Sequence, residues 1–194
     1  GNRSSGRMGV EIAAEAQRRG ATVTLVAANL AVPAPSGVEV VGASTAAAVE
    51  SEIVARAGTA DVLVMAAAIA DYRPTAALAE KRPKDAERWT VELEPTRDVL
   101  LAVADALPRN GQVRVAFGAE LGAEGLERKR RMLADKSVDL VVFNDVSRTD
   151  IGFDSDENEV VLVSTEGERT VPKAAKRVVA GAVLDEVERL LRQR

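Results

Sequence analysis

Helix-like and strand-like stretches alternate along almost the whole length of this 194-residue chain. Residues 8–19 carry apolar side chains at helical spacing and are followed by Gly20, which stands where a helix C-cap belongs. Residues 61–67 are apolar on both faces, as in a strand buried within a parallel sheet. The alternation predicts a single domain of α/β class: a Rossmann-like three-layer fold with a mostly parallel sheet and a C-terminal hairpin plus helix.

The same patterns predict the remaining elements. We expect strands at 21–27, 38–41, 113–117 and 139–143, and helices at 44–57, 96–107, 124–136 and 177–191. Residues 160–163 and 168–171 predict the hairpin. Residues 89–94 alternate apolar and polar side chains, which predicts a half-solvated strand with Trp89 turned inward. Residues 69–88 contain two prolines and a cluster of charges and predict a long, partly mobile loop.

The chain contains no cysteine and no histidine, and this excludes several kinds of site. A disulfide, a zinc-thiolate centre, a His-ligated metal, a Ser-His-Asp triad and a cysteine nucleophile all need one of the two residue types. Any chemistry must therefore rely on Lys, Asp, Glu, Asn or Ser side chains, on backbone amides, or on a hard cation held by oxygen atoms.

Charge and hydropathy narrow the classes of partner. The 26 Lys and Arg residues against 30 Asp and Glu residues give a net charge of −4, which argues against a dedicated nucleic-acid binder. No apolar run approaches the roughly 20 residues that span a bilayer, and no signal-peptide pattern is present. We expect a cytoplasmic protein with no membrane partner. Because the chain opens on Gly1 rather than Met, we also expect a trimmed start.

Ligands of doubly wound sheets bind beyond the carboxyl ends of the strands, and the loops there carry the candidate residues. The segment 2–9, Asn-Arg-Ser-Ser-Gly-Arg-Met-Gly, precedes the first helix. Free backbone N–H groups at that helix N-terminus favour an anion such as phosphate. A plain N-cap supplied by Ser4 or Ser5 is the alternative interpretation.

Three further loops hold polar groups. The buried strand at 61–67 continues through small residues to Asp71, so a flat ring could approach the backbone while Asp71 bonds an amine or holds Mg²⁺; an ordinary turn is the alternative. The run Glu-Lys-Arg-Pro-Lys at 80–84 is either a solvated loop or a lid that brings a lysine onto a phosphate. The polar clusters at 144–146 and 153–158 lack the spacing of a calcium loop.

Six short motifs occur in a fixed order along the chain. They are Asn-x-Ser-Ser-Gly-x-Met-Gly at 2–9, Ala-Ala-x-x-Ala-Asp-Tyr-Arg-Pro at 66–74, Glu-Lys at 80–81, Phe-x-Ala-Glu at 117–120, Asn-Asp-Val at 144–146 and Phe-x-Ser-Asp-x-Asn at 153–158. Together they resemble the phosphopantothenoylcysteine synthetase family, the ligase part of bifunctional bacterial coenzyme A biosynthesis proteins. The resemblance covers essentially the whole chain.

The resemblance implies a reaction that needs neither His nor Cys. In that family CTP and Mg²⁺ activate the carboxylate of 4′-phosphopantothenate as an acyl-cytidylate, and the amine of cysteine then displaces CMP to give an amide. By matching position, Asn2 would hold the acyl-cytidylate and Lys81 would serve the activation step, while Ala66, Ala67 and Asp71 would line the cytidine pocket. The rest of the nucleotide site would comprise Thr96, Arg97, Asp98, Val99, Phe117 and Lys136, with Ser4, Ser5 and Gly6 near phosphate. A homodimer and a fused or partner decarboxylase are also implied.

The chain departs from the family pattern in several places. Arg82 and Pro83 follow Lys81 where the family has further lysines, and residues 96–98 read Thr-Arg-Asp where the family has Asn-Pro-Asp. Met132 replaces a family lysine, although Lys129, Arg130 and Arg131 stand close enough to compensate by a shift of one residue. The family's first strand and its Gly-Gly-Thr loop, which precede the position of Asn2, are not present in this sequence. These departures favour an alternative from another class, a nucleotide-binding module without ligase activity.

Overall fold

The computed structural model describes residues 5–76, 78, 80–120, 122–145 and 156–194. Within these residues the chain forms five helices and nine strands. In chain order they are α1 (Arg7–Arg18), β1 (Thr24–Ala27), β2 (Glu39–Gly42), α2 (Ala46–Ala57), β3 (Val62–Met65), β4 (Tyr72–Pro74), β5 (Leu93–Pro95), α3 (Val99–Ala106), β6 (Val113–Glu120), α4 (Gly122–Asp135), β7 (Leu140–Asp145), β8 (Glu157–Ser164), β9 (Gly167–Ala175) and α5 (Lys176–Leu191). None of the helices in this part of the chain has the length and hydropathy of a membrane span.

The main sheet has the strand order β3-β6-β7-β8-β9. Strands β3, β6 and β7 run parallel, with Val64 opposite Val115 and Ala116 opposite Val141. Strands β8 and β9 are antiparallel and form the C-terminal hairpin. Strands β1 and β2 form a separate parallel pair, and β4 and β5 an antiparallel ribbon. This architecture confirms the predicted fold class.

Two apolar layers enclose the main sheet because its strands are apolar on both faces. On one face α5 and the start of α1 pack against the side chains of Val113, Val115, Leu140 and Val142. On the other face α2, α3 and α4 pack against alternate residues of the same strands, including Ala116 and Val141. Helices thus cover both faces of the sheet. Because β3, β6 and β7 are parallel, their carboxyl ends lie at the same edge of the sheet.

Local sequence signals set the helix ends. Gly20 adopts a left-handed φ of +89°, and the N–H groups of Gly20 and Ala21 donate to carbonyls of the last turn of α1. The hydroxyl of Thr45 caps α2 by accepting a hydrogen bond from the Ala48 N–H at 3.1 Å. Helix α3 begins at Val99, three residues later than predicted, because Asp98 is its N-cap.

The prediction of a half-buried strand at 89–94 is wrong. Strand β5 starts only at Leu93, and Trp89 is 57% exposed. The physical reason is that, within the described residues, β5 pairs with β4 alone, and the large apolar side chains Tyr72, Val91 and Leu93 stay 45–61% exposed. Trp89 instead packs under the guanidinium of Arg82, which lies 5.1 Å from the centre of the indole ring.

Candidate functional site

A cleft of about 580 Å³ opens at the carboxyl edge of the main sheet. The strands β3, β6 and β7 end at this edge, and the helices α1, α3 and α5 begin beside it. The loop that follows β3, from Met65 to Asp71, forms one wall, and the end of β6 forms another. The position agrees with the general rule for ligand sites of open α/β sheets.

The N-terminus of α1 borders the cleft without a side-chain cap from the described residues. Its N-cap is Gly6, whose φ of +74° lies in the left-handed region. A Cβ at this position would also stand 2.6 Å from Cδ2 of Leu30, which would have to move, but it is the left-handed backbone that favours glycine here. The N-cap is thus Gly6 and not Ser5, and the positive end of the α1 dipole lies at the cleft.

The N-terminus of α3 is held by two contacts from Thr96. Its hydroxyl donates to the Ala70 carbonyl at 2.6 Å, and its backbone N–H donates to the Asp71 carbonyl at 2.8 Å. These bonds join the small-residue loop after β3 to the start of α3. The wall that we expected to receive a nucleobase is thus fixed by backbone groups rather than by side chains of the loop.

One face of α4 and the residue that follows the helix supply two lysines to the cleft. Lys129 donates to Glu120 at 2.6 Å, and Lys136 pairs with Asp98 at 2.6 Å. Met132 lies between the two lysines and is 9% exposed. Residues three and four apart share a helix face, so Lys129 lies one turn before Met132 on the same face of α4. Lys129 thus brings to the cleft the positive charge that Met132 lacks.

The two carboxylates that face these lysines are held in their charged form. Burial alone would raise the pKa of Asp98, but the hydrogen bond from Lys136 and two backbone N–H groups lower the pKa below its ordinary value. In Glu120 burial is again opposed by hydrogen bonds, here from Lys129 and Arg128, and the pKa is lowered. Both acids thus serve as counter-ions for the lysines.

The cleft brings together most of the residues that the sequence predicted for the site. Its lining includes Ser5, Gly6, Ala66, Ala67, Asp71, Thr96, Arg97, Asp98, Val99, Phe117 and Lys136. Lys81 is exposed and is not among the lining residues, whereas Asn2 and Ser4 lie outside the described residues. The roles assigned to these side chains stay predictions.

Three buried polar side chains of the cleft had no site role assigned from the sequence, although Asn144 and Asn158 belong to two of the six motifs. Asn144, Asn158 and Lys176 are 8%, 5% and 6% exposed. Asn158 had a usable signal, since it continues the apolar stripe of Val160 and Leu162 along β8 and is polar. Lys176 had none, because a lysine at the start of a helix is ordinarily solvated.

The chain matches a family model described as the DNA/pantothenate metabolism flavoprotein C-terminal domain over residues 1–191. It is 40% identical over 198 residues to the coenzyme A biosynthesis bifunctional protein CoaBC of Mycobacterium bovis, covering 96% of this chain and 47% of the relative. It is 36% identical over 190 residues to CoaBC of Escherichia coli K12, covering 96% and 46%. The chain thus spans about half the length of these curated relatives.

Solved structures agree. The crystal structure of the C-terminal domain of CoaBC superposes with a TM-score of 0.79 at 27% identity, covering 98% of this chain and 85% of that one. A Cab2 variant in complex with phosphopantothenate-cysteine superposes with a TM-score of 0.75 at 14% identity, over 99% and 80%, and shows the shared fold alone. The resemblance carried by the six motifs is confirmed, and the chain belongs to the DNA/pantothenate metabolism flavoprotein C-terminal domain family.

Proposed function

We propose that this chain catalyses the CTP-dependent ligation of 4′-phosphopantothenate with cysteine, through an acyl-cytidylate, in coenzyme A biosynthesis. One observation carries the proposal: a single cleft joins three helix N-termini and three lysines to a loop of small residues that ends at Asp71. Two phosphorylated substrates need such a concentration of positive partial and full charge. Membership of the family and the CoaBC relatives support a role in coenzyme A biosynthesis.

In the first step a carboxylate oxygen of 4′-phosphopantothenate attacks the α-phosphorus of CTP. A bond to phosphorus forms, the bond to the β-phosphate oxygen breaks, and pyrophosphate leaves. Such a transfer needs alignment and charge neutralisation more than a protein nucleophile. Lys129 and Lys136 can exchange their carboxylate partners for phosphate oxygens, and the start of α1 can bind a further phosphate.

In the second step the amine of cysteine attacks the acyl carbon. The C–N bond forms, the bond from the acyl carbon to the phosphate oxygen breaks, CMP leaves, and the amine loses a proton. Asn2 would hold the acyl-cytidylate for this step. Lys81 would serve the first step, for which its loop has to close, because Lys81 is exposed and its neighbour Arg82 is bound to Asp85 and Trp89.

The cleft fits a magnesium ion that arrives with the nucleotide. In the described part of the chain no three acidic side chains form a cluster, but Mg²⁺ at nucleotide sites commonly takes one or two carboxylates plus phosphate oxygens. Asp71 is an exposed carboxylate in the lining and would supply one such ligand. A bound Mg²⁺ would offset phosphate charge during the first step.

We further propose a homodimer that pairs through the ribbon of β4 and β5. Tyr72 and Leu93 of this ribbon are 61% and 57% exposed, and Trp89 lies beside it with a similar exposure. An exposed group of large apolar side chains is typical of a protein interface. The curated relatives are about twice as long as this chain, which is consistent with a decarboxylase fused to it in the whole protein.

The test is the release of pyrophosphate from CTP and Mg²⁺, measured with and without 4′-phosphopantothenate and with and without cysteine. The ligase predicts release that depends on the acid and does not need cysteine, and CMP release that needs both. Replacement of CTP by ATP measures the choice of nucleotide. Acid-independent release, or none, would contradict the proposal.

A nucleotide-binding module without ligase activity is the second candidate. The position of Lys81 outside the cleft lining favours it, since the activation step then lacks its predicted lysine. This candidate predicts that CTP raises the melting temperature, because a ligand that binds only the folded state stabilises it, without any acid-dependent turnover.

A further inference from the structure

The side of the cleft that faces α1 and α5 contains two buried amide oxygens. The Oδ1 atoms of Asn144 and Asn158 are inaccessible to solvent and accept no hydrogen bond from the described part of the chain. A buried acceptor without a donor destabilises the folded protein, because it has lost its hydrogen bonds to water and gained none in return. Two such atoms in one ligand cleft indicate that a bound molecule supplies the missing donors.

The topology places the two amides on neighbouring strands. Asn144 follows Phe143 at the end of β7 and shares the face of Leu140 and Val142, which α5 covers. Asn158 lies on β8, just before the irregularity that shifts the register between Asn158 and Val160. The bulge belongs to the part of the hairpin that borders the cleft.

Lys176 adds a cation to the same side. It is the first residue of α5, it is 6% exposed, and its backbone N–H donates to the Asp156 carbonyl at 3.0 Å. Because the positive end of the α5 dipole lies here as well, this part of the cleft favours an anionic group. The subsite thus combines two acceptors with a buried lysine and a helix N-terminus.

These properties select among the substrates of the proposed reaction, on which the inference rests. A hydroxyl or a secondary amide donates one hydrogen and can serve only one of the two oxygens, whereas an amino group donates to both. In an α-amino acid a carboxylate stands one carbon away from that amino group. We infer that Asn144, Asn158 and Lys176 form the amino-acid subsite, in which the amides orient the amine and Lys176 binds the carboxylate.

Two variants and one control test this inference. Lys176→Gln removes the cation and Asn158→Leu removes an acceptor at similar volume, while Arg177→Gln removes a neighbouring exposed charge outside the cleft. Pyrophosphate release without an amino acid isolates the first step. Amide formation with cysteine, and with 2-aminoethanethiol, which lacks the carboxylate, isolates the second.

Both variants are expected to retain acid-dependent pyrophosphate release and to raise the KM for cysteine about tenfold or more. Lys176→Gln should also abolish the preference for cysteine over 2-aminoethanethiol, which Asn158→Leu and Arg177→Gln should retain. A KM that rises for 4′-phosphopantothenate instead, or an unchanged KM for cysteine, would overturn the subsite alone. A wild-type protein that releases no pyrophosphate would overturn the ligase, and the subsite with it.

Discussion

The ammonium of Lys136 lies 2.6 Å from one carboxylate oxygen of Asp98, and the other oxygen of Asp98 accepts hydrogen bonds from the N–H groups of Leu100 and Leu101. One carboxylate therefore caps α3 and also holds the lysine that follows α4. The start of α3 and the position of Lys136 in the cleft both depend on the Asp98 side chain.

The first prediction concerns acid stability. Because the pKa of Asp98 is lower in the folded protein than in the unfolded chain, where it is about 3.9, ionised Asp98 stabilises the fold above that pH. This stabilisation is lost as the pH falls through the folded pKa. Asp98→Asn retains a capping oxygen but removes the charge, so its deficit in unfolding free energy should be full at pH 7 and shrink below about pH 4. Urea unfolding of both proteins at several pH values measures it, and a deficit that is constant with pH would contradict the linkage.

The second prediction concerns nucleotide affinity. Lys136→Met removes a cation of the cleft that can bind phosphate, and we expect it to weaken CTP binding about tenfold or more, since a hydrogen bond to a charged group contributes about 1.5–3 kcal/mol. Arg131→Met is the matched control, because it removes an exposed charge of α4 that does not line the cleft. Titration calorimetry with CTP and Mg²⁺ gives both affinities. Equal losses in the two variants would show a general effect of charge.

The third prediction uses Gly118. The side chain of Lys129 crosses this glycine, and a Cβ there would stand 2.8 Å from its Cδ and Nζ atoms. Since the far end of a lysine can move, Gly118→Ala should leave the melting temperature nearly unchanged while it separates Lys129 from Glu120. We expect the loss of CTP affinity in Gly118→Ala to match that in Lys129→Met. A large drop in melting temperature would show instead that the backbone of β6 cannot accept a side chain.

The sequence predicted the elements whose signals are local or fully buried. The helix that ends at Gly20 and the apolar strand β3 follow from their own residues, and the motifs at 66–74 and 117–120 lie together because parallel strands end at one edge. Trp89 was wrongly predicted to point inward. An alternating pattern shows which side chains share a face of a strand, but not whether anything packs against that face. Lys176 was missed because its burial depends on how α5 meets the ends of β7 and β8.

The fourth prediction concerns assembly. Leu93→Asp places a charge on the exposed ribbon, and a buried charge without a partner opposes association. We expect the wild-type protein to sediment as a dimer and the variant as a monomer with an unchanged melting transition at low concentration. Val178→Asp, on an exposed position of α5, is the control and should remain dimeric. A monomeric wild-type protein would contradict the proposed interface.

The fifth prediction concerns a buried cation at the other end of the sheet. Arg114 is fully buried; its Nε donates to Gln112 Oε1 at 2.9 Å, and burial and the nearby Arg109 lower its pKa. No carboxylate of the described residues forms an ion pair with its guanidinium, so the desolvation of several kcal/mol is offset only in part, by the more distant charge of Asp139 and by hydrogen bonds to neutral groups. Arg114→Met approximately keeps the side-chain volume and removes the cost of burying the charge. It also leaves the Gln112 oxygen without a donor, which costs about 1–3 kcal/mol. We therefore expect the free energy of unfolding to be unchanged or raised by about 1 kcal/mol.

Gln112→Leu should act in the opposite direction. The Nε2 atom of Gln112 donates to the carbonyls of Ala57 and Ala60 at 2.6 and 2.8 Å, so this variant removes two hydrogen bonds to carbonyls and leaves the buried Nε of Arg114 without its acceptor. We expect a loss of about 3 kcal/mol or more in urea unfolding at pH 7. If Arg114→Met lowers the free energy of unfolding as much as Gln112→Leu does, the charged guanidinium itself stabilises the C-terminal ends of α2 and α3. If only Gln112→Leu is costly, the neutral amide holds those helix ends, and Arg114 is retained at the expense of stability.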